Sequence, residues 1–370
     1  MELADLLLLA TKGVLVASLP IALAWTVRGS DRLQRLAAIT AFFTFDLIVF
    51  GAFTRLTDSG LGCPDWPGCY AKANPIAALT DIHAAQALMP DGPVTVFKAW
   101  IEMLHRYLAM GVGLLIVVMV VLAWLRARGR SQKPWLTTAL LALVCLQGAF
   151  GAWTVTLKLQ PVIVTTHLLL GMLLLAMLIW HAALLAERPA DLPSGSALRL
   201  RPLVWLASAL LVLQIALGGW VSTNYAVLAC NQFPMCQGLW LPEMDFESGF
   251  HLWRELGRTA DNSGYISLAA LTAIHWVHRT VALPVVLVLA GLCVAAWPLA
   301  ALRFWLRWLA FLLAAQLITG VANVLLGWPL LAAVLHNAGA AGLVVVLVML
   351  NYRIAQAARS TRRDGLSVAV

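Results

Sequence analysis

Charge is what this 370-residue sequence lacks most: 11% of its residues are Asp, Glu, Lys or Arg, where a soluble chain carries about 25%. The shortage excludes a soluble domain held by a single anchor. Apolar runs recur along the whole chain, and a run of about 20 apolar residues crosses a bilayer core as a helix. Blocks of basic residues are missing as well. The Lys and Arg residues behind the net charge of +8 fall in short connections between apolar runs, a pattern that records membrane topology rather than nucleic-acid binding. There is no P-loop and no pair of Asp-rich metal-diphosphate motifs, which argues against nucleotide hydrolysis and prenyl transfer. A cleavable leader is not expected, because Glu2 and Asp5 stand where a signal peptide carries positive charge and the apolar run to Trp25 is too long.

What is there reads as an all-α polytopic membrane protein with about nine transmembrane helices. The spans are expected near 5–27, 36–54, 99–125, 135–156, 162–186, 203–223, 267–297, 304–325 and 330–352. Basic residues follow every second span: Arg28, Arg32 and Arg35; Arg126, Arg128, Arg130 and Lys133; Arg188, Arg199 and Arg201; Arg303 and Arg307; Arg353, Arg359, Arg362 and Arg363. These connections are expected in the cytoplasm, with the N-terminus outside and the C-terminus inside. Two long outward loops, about 55–98 and 224–266, hold four of the six cysteines.

The sequence is internally duplicated. Gly51 and Cys63 are twelve apart, as are Gly218 and Cys230; Cys63 and Cys69 are six apart, as are Cys230 and Cys236. Glu102-Met-Leu-His105-Arg106 is echoed by His275-Trp-Val-His278-Arg279. Gln147 precedes His167 by twenty positions, and Gln316 precedes His336 by twenty. The expected organisation is an extra N-terminal helix (1–35), a first four-helix unit (36–190), a second (200–355) and a cytoplasmic tail (356–370). Both units begin and end inside, so they form a parallel repeat about an axis along the membrane normal.

His105, His167, His278 and His336 lie on alternate spans at similar depth, about 10 Å into the membrane at 1.5 Å per residue. Ionisable groups there are costly, and four at duplicated positions point to ligation. Facing helices of a bundle place cofactors between them, and two imidazoles on opposite sides of a porphyrin make a six-coordinate iron with no position for dioxygen. His83, His181 and His251 are read as solvated or interfacial. Glu102 stands three residues before His105 on the same helix face, where the second unit has His275. It is either an acid/base group or half of a salt bridge with Arg106 or Lys98. Asp46 is a further intramembrane carboxyl, with no role assigned beyond a polar contact between helices. The cysteine pairs lie on the outer side, where disulfides form. A redox-active thiol pair is the alternative, and zinc has a weak case without a CxxC spacing. Cys145 and Cys293 are read as packing residues.

Taken together these residues resemble the heme A synthase family, in its proteobacterial form with one helix added to the usual eight. The match runs from about Phe50 to Asn351. It rests on Thr54-Arg-Leu-Thr-Asp-Ser-Gly-Leu-Gly-Cys-Pro-Asp-Trp-Pro-Gly-Cys69, on Glu102-Met-Leu-His-Arg106, on Gly151-Ala-Trp-Thr-Val-Thr-Leu-Lys-Leu-Gln-Pro161 before His167, and on the histidine quartet. The resemblance implies oxidation of the C8 methyl group of heme O to a formyl group by successive hydroxylations, for cytochrome oxidase assembly. It implies His105 and His167 as ligands of the substrate heme O, His278 and His336 as ligands of a heme b cofactor, and Glu102 as catalytic. Since a bis-histidine iron has no site for oxygen, water is the expected oxygen source, and Glu102 would act on it or on the developing charge. Expected partners are heme O and heme A, a heme O synthase, an electron acceptor (a quinone or a redox protein) and the lipid bilayer of a bacterial inner membrane, with no nucleic acid; a homo-oligomer is compatible with the reading. Arg55, Arg106 and Lys158 are candidates for propionate contacts. The competing functions are a quinol-linked di-heme b-type cytochrome, for which Glu102 and the paired cysteines have no task, and a colourless transporter built on the same kind of repeat.

Overall fold

The computed structural model describes residues 1–26, 31–90, 92–127, 134–186, 192–254, 256 and 266–367. Among them no strand forms, and nine helices are long and apolar enough to cross a membrane. Long apolar runs favour this outcome, because in lipid every backbone N–H and C=O must be satisfied within its own segment. The chain is a polytopic all-α membrane protein. Arg28, Arg128, Arg130, Lys133 and Arg188 lie outside the described residues.

The elements run α1 (Leu3–Thr26), α2 (Arg32–Leu56), α3 (Leu79–Leu88), α4 (Val96–Arg126), α5 (Trp135–Thr156), α6 (Pro161–Leu185), α7 (Ser194–Thr223), α8 (Phe246–Gly249), α9 (Leu268–Ala296), α10 (Arg303–Leu325) and α11 (Leu330–Ser367). The spanning helices match the expected ones to within a few residues, except that α7 begins nine residues early and α11 runs fifteen residues on. Hydropathy marks where a helix leaves the apolar core, not where its hydrogen bonds stop. The short α3 and α8 lie in the two long loops, about 55–98 and 224–266, where no helix was expected.

Contacts divide the chain into two compact units, Met1–Leu185 with Leu252–Gly264, and Ala186–His251 with Tyr265–Val370. In the first unit α2 packs on α4, α4 on α5, α5 on α6 and α6 on α2, closing a four-helix ring. α1 lies outside that ring, against α4 and α2. The Cβ of Val16 on α1 would stand only 3.0 Å from a Cβ placed on Gly111 of α4, so this glycine lets the two helices approach closely. Arg35 Nε donates to the Ala24 carbonyl (2.9 Å), and Arg126 pairs with Asp31 (2.7 Å), tying the end of α1, the start of α2 and the end of α4 together. In the second unit α7, α9, α10 and α11 close a ring of the same order.

The duplication reaches the backbone. Ten described residues have left-handed φ, a conformation that costs a non-glycine residue and is rare without a reason. They fall into five pairs at the repeat offset: Asp58 with Tyr225, Tyr70 with Gln237, Ala71 with Gly238, Lys158 with Gly327, and Leu159 with Trp328. Side chains follow suit. Asp65 accepts hydrogen bonds from the Tyr70 and Ala71 N–H groups (2.7 and 2.6 Å), and Gln232, at the same place in the second loop, accepts from Gly238 N–H (2.8 Å).

Candidate functional site

Each unit places its two histidines at opposite corners of its ring. His105 is on α4 and His167 on α6, separated by α2 and α5; His278 is on α9 and His336 on α11, separated by α7 and α10. The four stand nine, six, ten and six residues beyond the first residue of their helices, about 9–15 Å along the axis. Each ring lies against a glycine of an intervening helix. A Cβ on Gly51 would meet His105 Cε1 at 3.0 Å, on Gly218 His278 Cε1 at 3.0 Å, on Gly151 His167 Cε1 at 3.3 Å, and on Gly320 His336 Cε1 at 3.3 Å. The glycines occur where a flat ring needs room beside a helix, and at duplicated positions: Gly51 matches Gly218, and Gly151 matches Gly320.

Glutamines hold the helix backbone beside the rings. Gln147 Nε2 donates to the His167 carbonyl (3.0 Å), and Gln316 Nε2 to the His336 carbonyl (2.8 Å). Gln214 Nε2 lies 3.1 Å from the His278 carbonyl and 3.2 Å from His278 Nδ1. The Nδ1 atoms of His105 and His167 are buried with no hydrogen-bond partner, whereas His336 Nδ1 meets Thr319 Oγ1 at 2.9 Å. A buried imidazole with no protein acceptor is costly unless a ligand engages the ring. The set fits an iron porphyrin: two imidazoles on diagonal helices, glycine-lined, in each ring.

Above the first ring, Cys63 and Cys69 are disulfide-bonded and fully buried. They belong to a core with Leu9 of α1, Ile82 of α3, and Ala99, Met103 and Tyr107 of α4, so this long loop is packed rather than draped. Glu102 is buried, and both of its oxygens are engaged: Oε1 with Arg106 Nη2 (2.5 Å), Oε2 with Cys63 N–H (2.8 Å). Arg106 Nη1 donates to the carbonyls of Asp65 (2.9 Å), Pro67 (3.3 Å) and Gly68. The extra helix takes part: Asp5 accepts from Ala73 N–H (3.0 Å), while Tyr107 donates to the Ala73 carbonyl (2.7 Å).

The second loop is closed by Cys230–Cys236. Arg279 Nη2 donates to the carbonyls of Pro234 (2.8 Å) and Met235 (3.4 Å), repeating the grip of Arg106. Among the described residues no carboxylate accompanies it. His275 stands where the first unit has Glu102, buried, with Nδ1 unpartnered, and Arg279 Nη1 is a buried donor without an acceptor.

Both cysteine pairs expected from the sequence are therefore bridged, and of the two readings open for Glu102 the Arg106 ion pair is formed. Arg106 is committed to the loop and Glu102, and Arg55 pairs with Asp58 (3.1 Å), which leaves neither free for a propionate as placed. His83 is exposed on α3 and His251 is exposed, as expected of solvated residues, but His181 is buried. Cys145 is exposed on α5 rather than packed inside, and Asp46 is exposed on α2. The sequence reading missed Gly320, Gln214 and Thr319, and it named Gly151 only as the start of a motif, not as a glycine against His167. The twofold recurrence of Gly-before-loop spacing could have flagged the glycines.

The family model described as cytochrome oxidase assembly protein matches residues 34–348. The chain is similar to the heme A synthase of Shewanella oneidensis, 37% identical over 334 residues that make up 90% of this chain and 99% of that protein. It is 30% identical to the heme A synthase of Beijerinckia indica subsp. indica over 80% of this chain and 86% of that one. It is also 30% identical to the heme A synthase of Erythrobacter litoralis over 60% of this chain and 71% of that one.

Proposed function

Because the chain belongs to the cytochrome oxidase assembly protein family, beside its heme A synthases, we propose that it is itself a heme A synthase of a bacterial inner membrane. Its substrate is heme O, whose C8 methyl group becomes a formyl group. The change balances as one methyl and one water giving one formyl, four protons and four electrons. The electrons go to an acceptor of the quinone or small redox protein class. The topology that goes with this reading puts the N-terminus in the periplasm and the C-terminus in the cytoplasm.

The single observation that carries the reading is the chemical difference between two rings of one architecture: buried Glu102 in the first, His275 in the second. His105 and His167 hold the substrate heme across the first ring. Glu102 is the catalytic residue. Cys63 N–H and Arg106 fix its carboxylate, while each carboxylate oxygen keeps a lone pair for a water proton. A carboxylate so placed can deprotonate the attacking water or stabilise charge developing at the methyl carbon. The packed disulfide loop, resting on α1, α3 and α4, sets the carboxylate's position and shields it from bulk water.

In the second ring His278 and His336 would hold a heme b, which supplies one-electron transfer when bound. Gln214, Gln316 and Thr319 orient those imidazoles, and among the described residues the ring has no carboxylate with which to do acid–base work.

The test is expression of the chain with and without a heme O synthase, followed by reverse-phase separation of the extracted hemes. Heme A should appear only when heme O is supplied, beside heme b retained by the purified protein. Heme b alone in both cases would instead identify a di-heme electron carrier.

A further inference from the structure

We propose that Thr319 is a positioning residue that fixes the tautomer of His336, and that its lack of a counterpart in the first unit makes that unit's porphyrin the exchangeable one. This rests on the reading of the histidine pairs as iron ligands.

Thr319 Oγ1 carries one proton. The Ala315 carbonyl lies 2.7 Å away and takes it; the Gln316 carbonyl, at 3.3 Å, is the other backbone acceptor in reach. With its proton donated to its own helix, the hydroxyl can meet His336 Nδ1, at 2.9 Å, only as an acceptor. Nδ1 therefore bears the ring proton, and the lone pair of the neutral imidazole stands at Nε2. The ring is further confined by Gly320 against Cε1 and by Gln316, which holds the His336 carbonyl. The ligating nitrogen is thus set by the protein before any metal arrives.

In the first unit the residue before the glycine is Phe150, not threonine, and His167 Nδ1 is buried without a partner. The other corner is furnished differently: Gln214 Nε2, one turn before Gly218, lies 3.2 Å from His278 Nδ1 and can only donate, so it confines the ring without accepting an Nδ1 proton, whereas the residue one turn before Gly51 is Leu47 and His105 Nδ1 has no partner. Hydrogen bonds to the far nitrogen of a ligating histidine orient it and raise its basicity, and losing one typically costs about 10–100-fold in metal affinity. A unit that must take up heme O and release heme A is served by ligands without that support. A unit that keeps its heme is served by a ligand that has it, His336.

The experiment uses the purified full-length protein and two readouts independent of turnover: the midpoint potential of the retained heme b and the rate of heme transfer to excess apomyoglobin. Thr319→Val, of nearly the same shape, should shift the reduction equilibrium about tenfold toward ferrous iron, a rise of 59 mV for a one-electron couple. It should also speed heme b loss about tenfold. Thr319→Ser, which keeps the oxygen, should behave as the unaltered chain. Phe150→Thr should slow loss of the first-unit heme. The proposal is overturned if Thr319→Val matches the unaltered protein in both readouts, if Thr319→Ser is changed as much as Thr319→Val, or if Phe150→Thr releases its heme no more slowly. Failure of the ligation reading looks different: the unaltered protein would then carry no heme b at all.

Discussion

Arg106 in the first unit and Arg279 in the second both reach the backbone carbonyls of a disulfide-closed loop, but only Arg106 also meets a carboxylate. The same split appears lower in the rings. The histidines of the second unit have Gln214 and Thr319 beside their Nδ1 atoms; those of the first have none. One backbone plan has thus been furnished twice among the described residues, once with a buried carboxylate and histidines whose Nδ1 atoms are unpartnered, once with partnered histidines and no carboxylate. The lesson is that a duplicated fold can differ in a few side chains while their backbone surroundings stay fixed, down to the left-handed residues of the loops.

The largest way to break this comparison is to remove the one group that only the first ring has. Glu102→Gln should lower conversion of heme O to heme A by about 10²–10⁴-fold while leaving heme b content unchanged; His275→Ala should lower conversion far less. Full conversion by Glu102→Gln, read by chromatography of extracted hemes, would remove the carboxylate from the chemistry.

Filling the glycine clefts comes next. A Cβ at Gly51 or Gly218 already approaches an imidazole carbon to 3.0 Å, so Gly51→Val and Gly218→Val should displace His105 and His278 respectively. Each variant should lose the heme of its own ring and keep the other, as read from pyridine hemochrome spectra. Loss of both hemes from either variant would show that the rings do not bind independently.

The disulfide loops give a smaller contrast. Replacing Cys63 and Cys69 by serine frees the segment that donates to Glu102 and should cut conversion by about tenfold or more, given 1.4 kcal/mol or so for a charge-assisted hydrogen bond. The same change at Cys230 and Cys236 disturbs no carboxylate and should cost less. Equal losses would mean that the loops act only as covers.

The smallest effect is expected at Asp31. Burial works to raise its carboxyl, but the Arg126 hydrogen bond and charge more than offset that and hold it below the usual carboxylate range. Its contribution is present above the unfolded-state value and is lost as pH falls through the folded one. Both partners are well exposed, so Asp31→Asn should change stability by at most about 1 kcal/mol at neutral pH. A larger shift in thermal denaturation would mean that the pair does more than clip α2 to α4.

Much of this was legible in the sequence. The nine spans, the repeat and the four histidines follow from hydropathy and from recurring spacings, because a bilayer imposes helix length and a duplication preserves register. The ring order was not legible, since it depends on which faces pack, and these helices are apolar nearly all round. Nor was the state of Glu102, because i,i+4 spacing permits the Arg106 pair without requiring it. Thr319 looked like any threonine in a span. Its significance needs the position of a ring on another helix, seventeen residues on. His181 failed for the opposite reason, as its neighbours rather than its depth decide that it is buried.

The most direct measurement is the heme content of two double variants purified from cells that make heme O. His105→Ala with His167→Ala should yield protein that keeps heme b and contains neither heme O nor heme A. His278→Ala with His336→Ala should yield protein without heme b. If either double variant retained the full complement of hemes found in the unaltered chain, the clamping of a porphyrin by diagonal histidines in each ring would be contradicted.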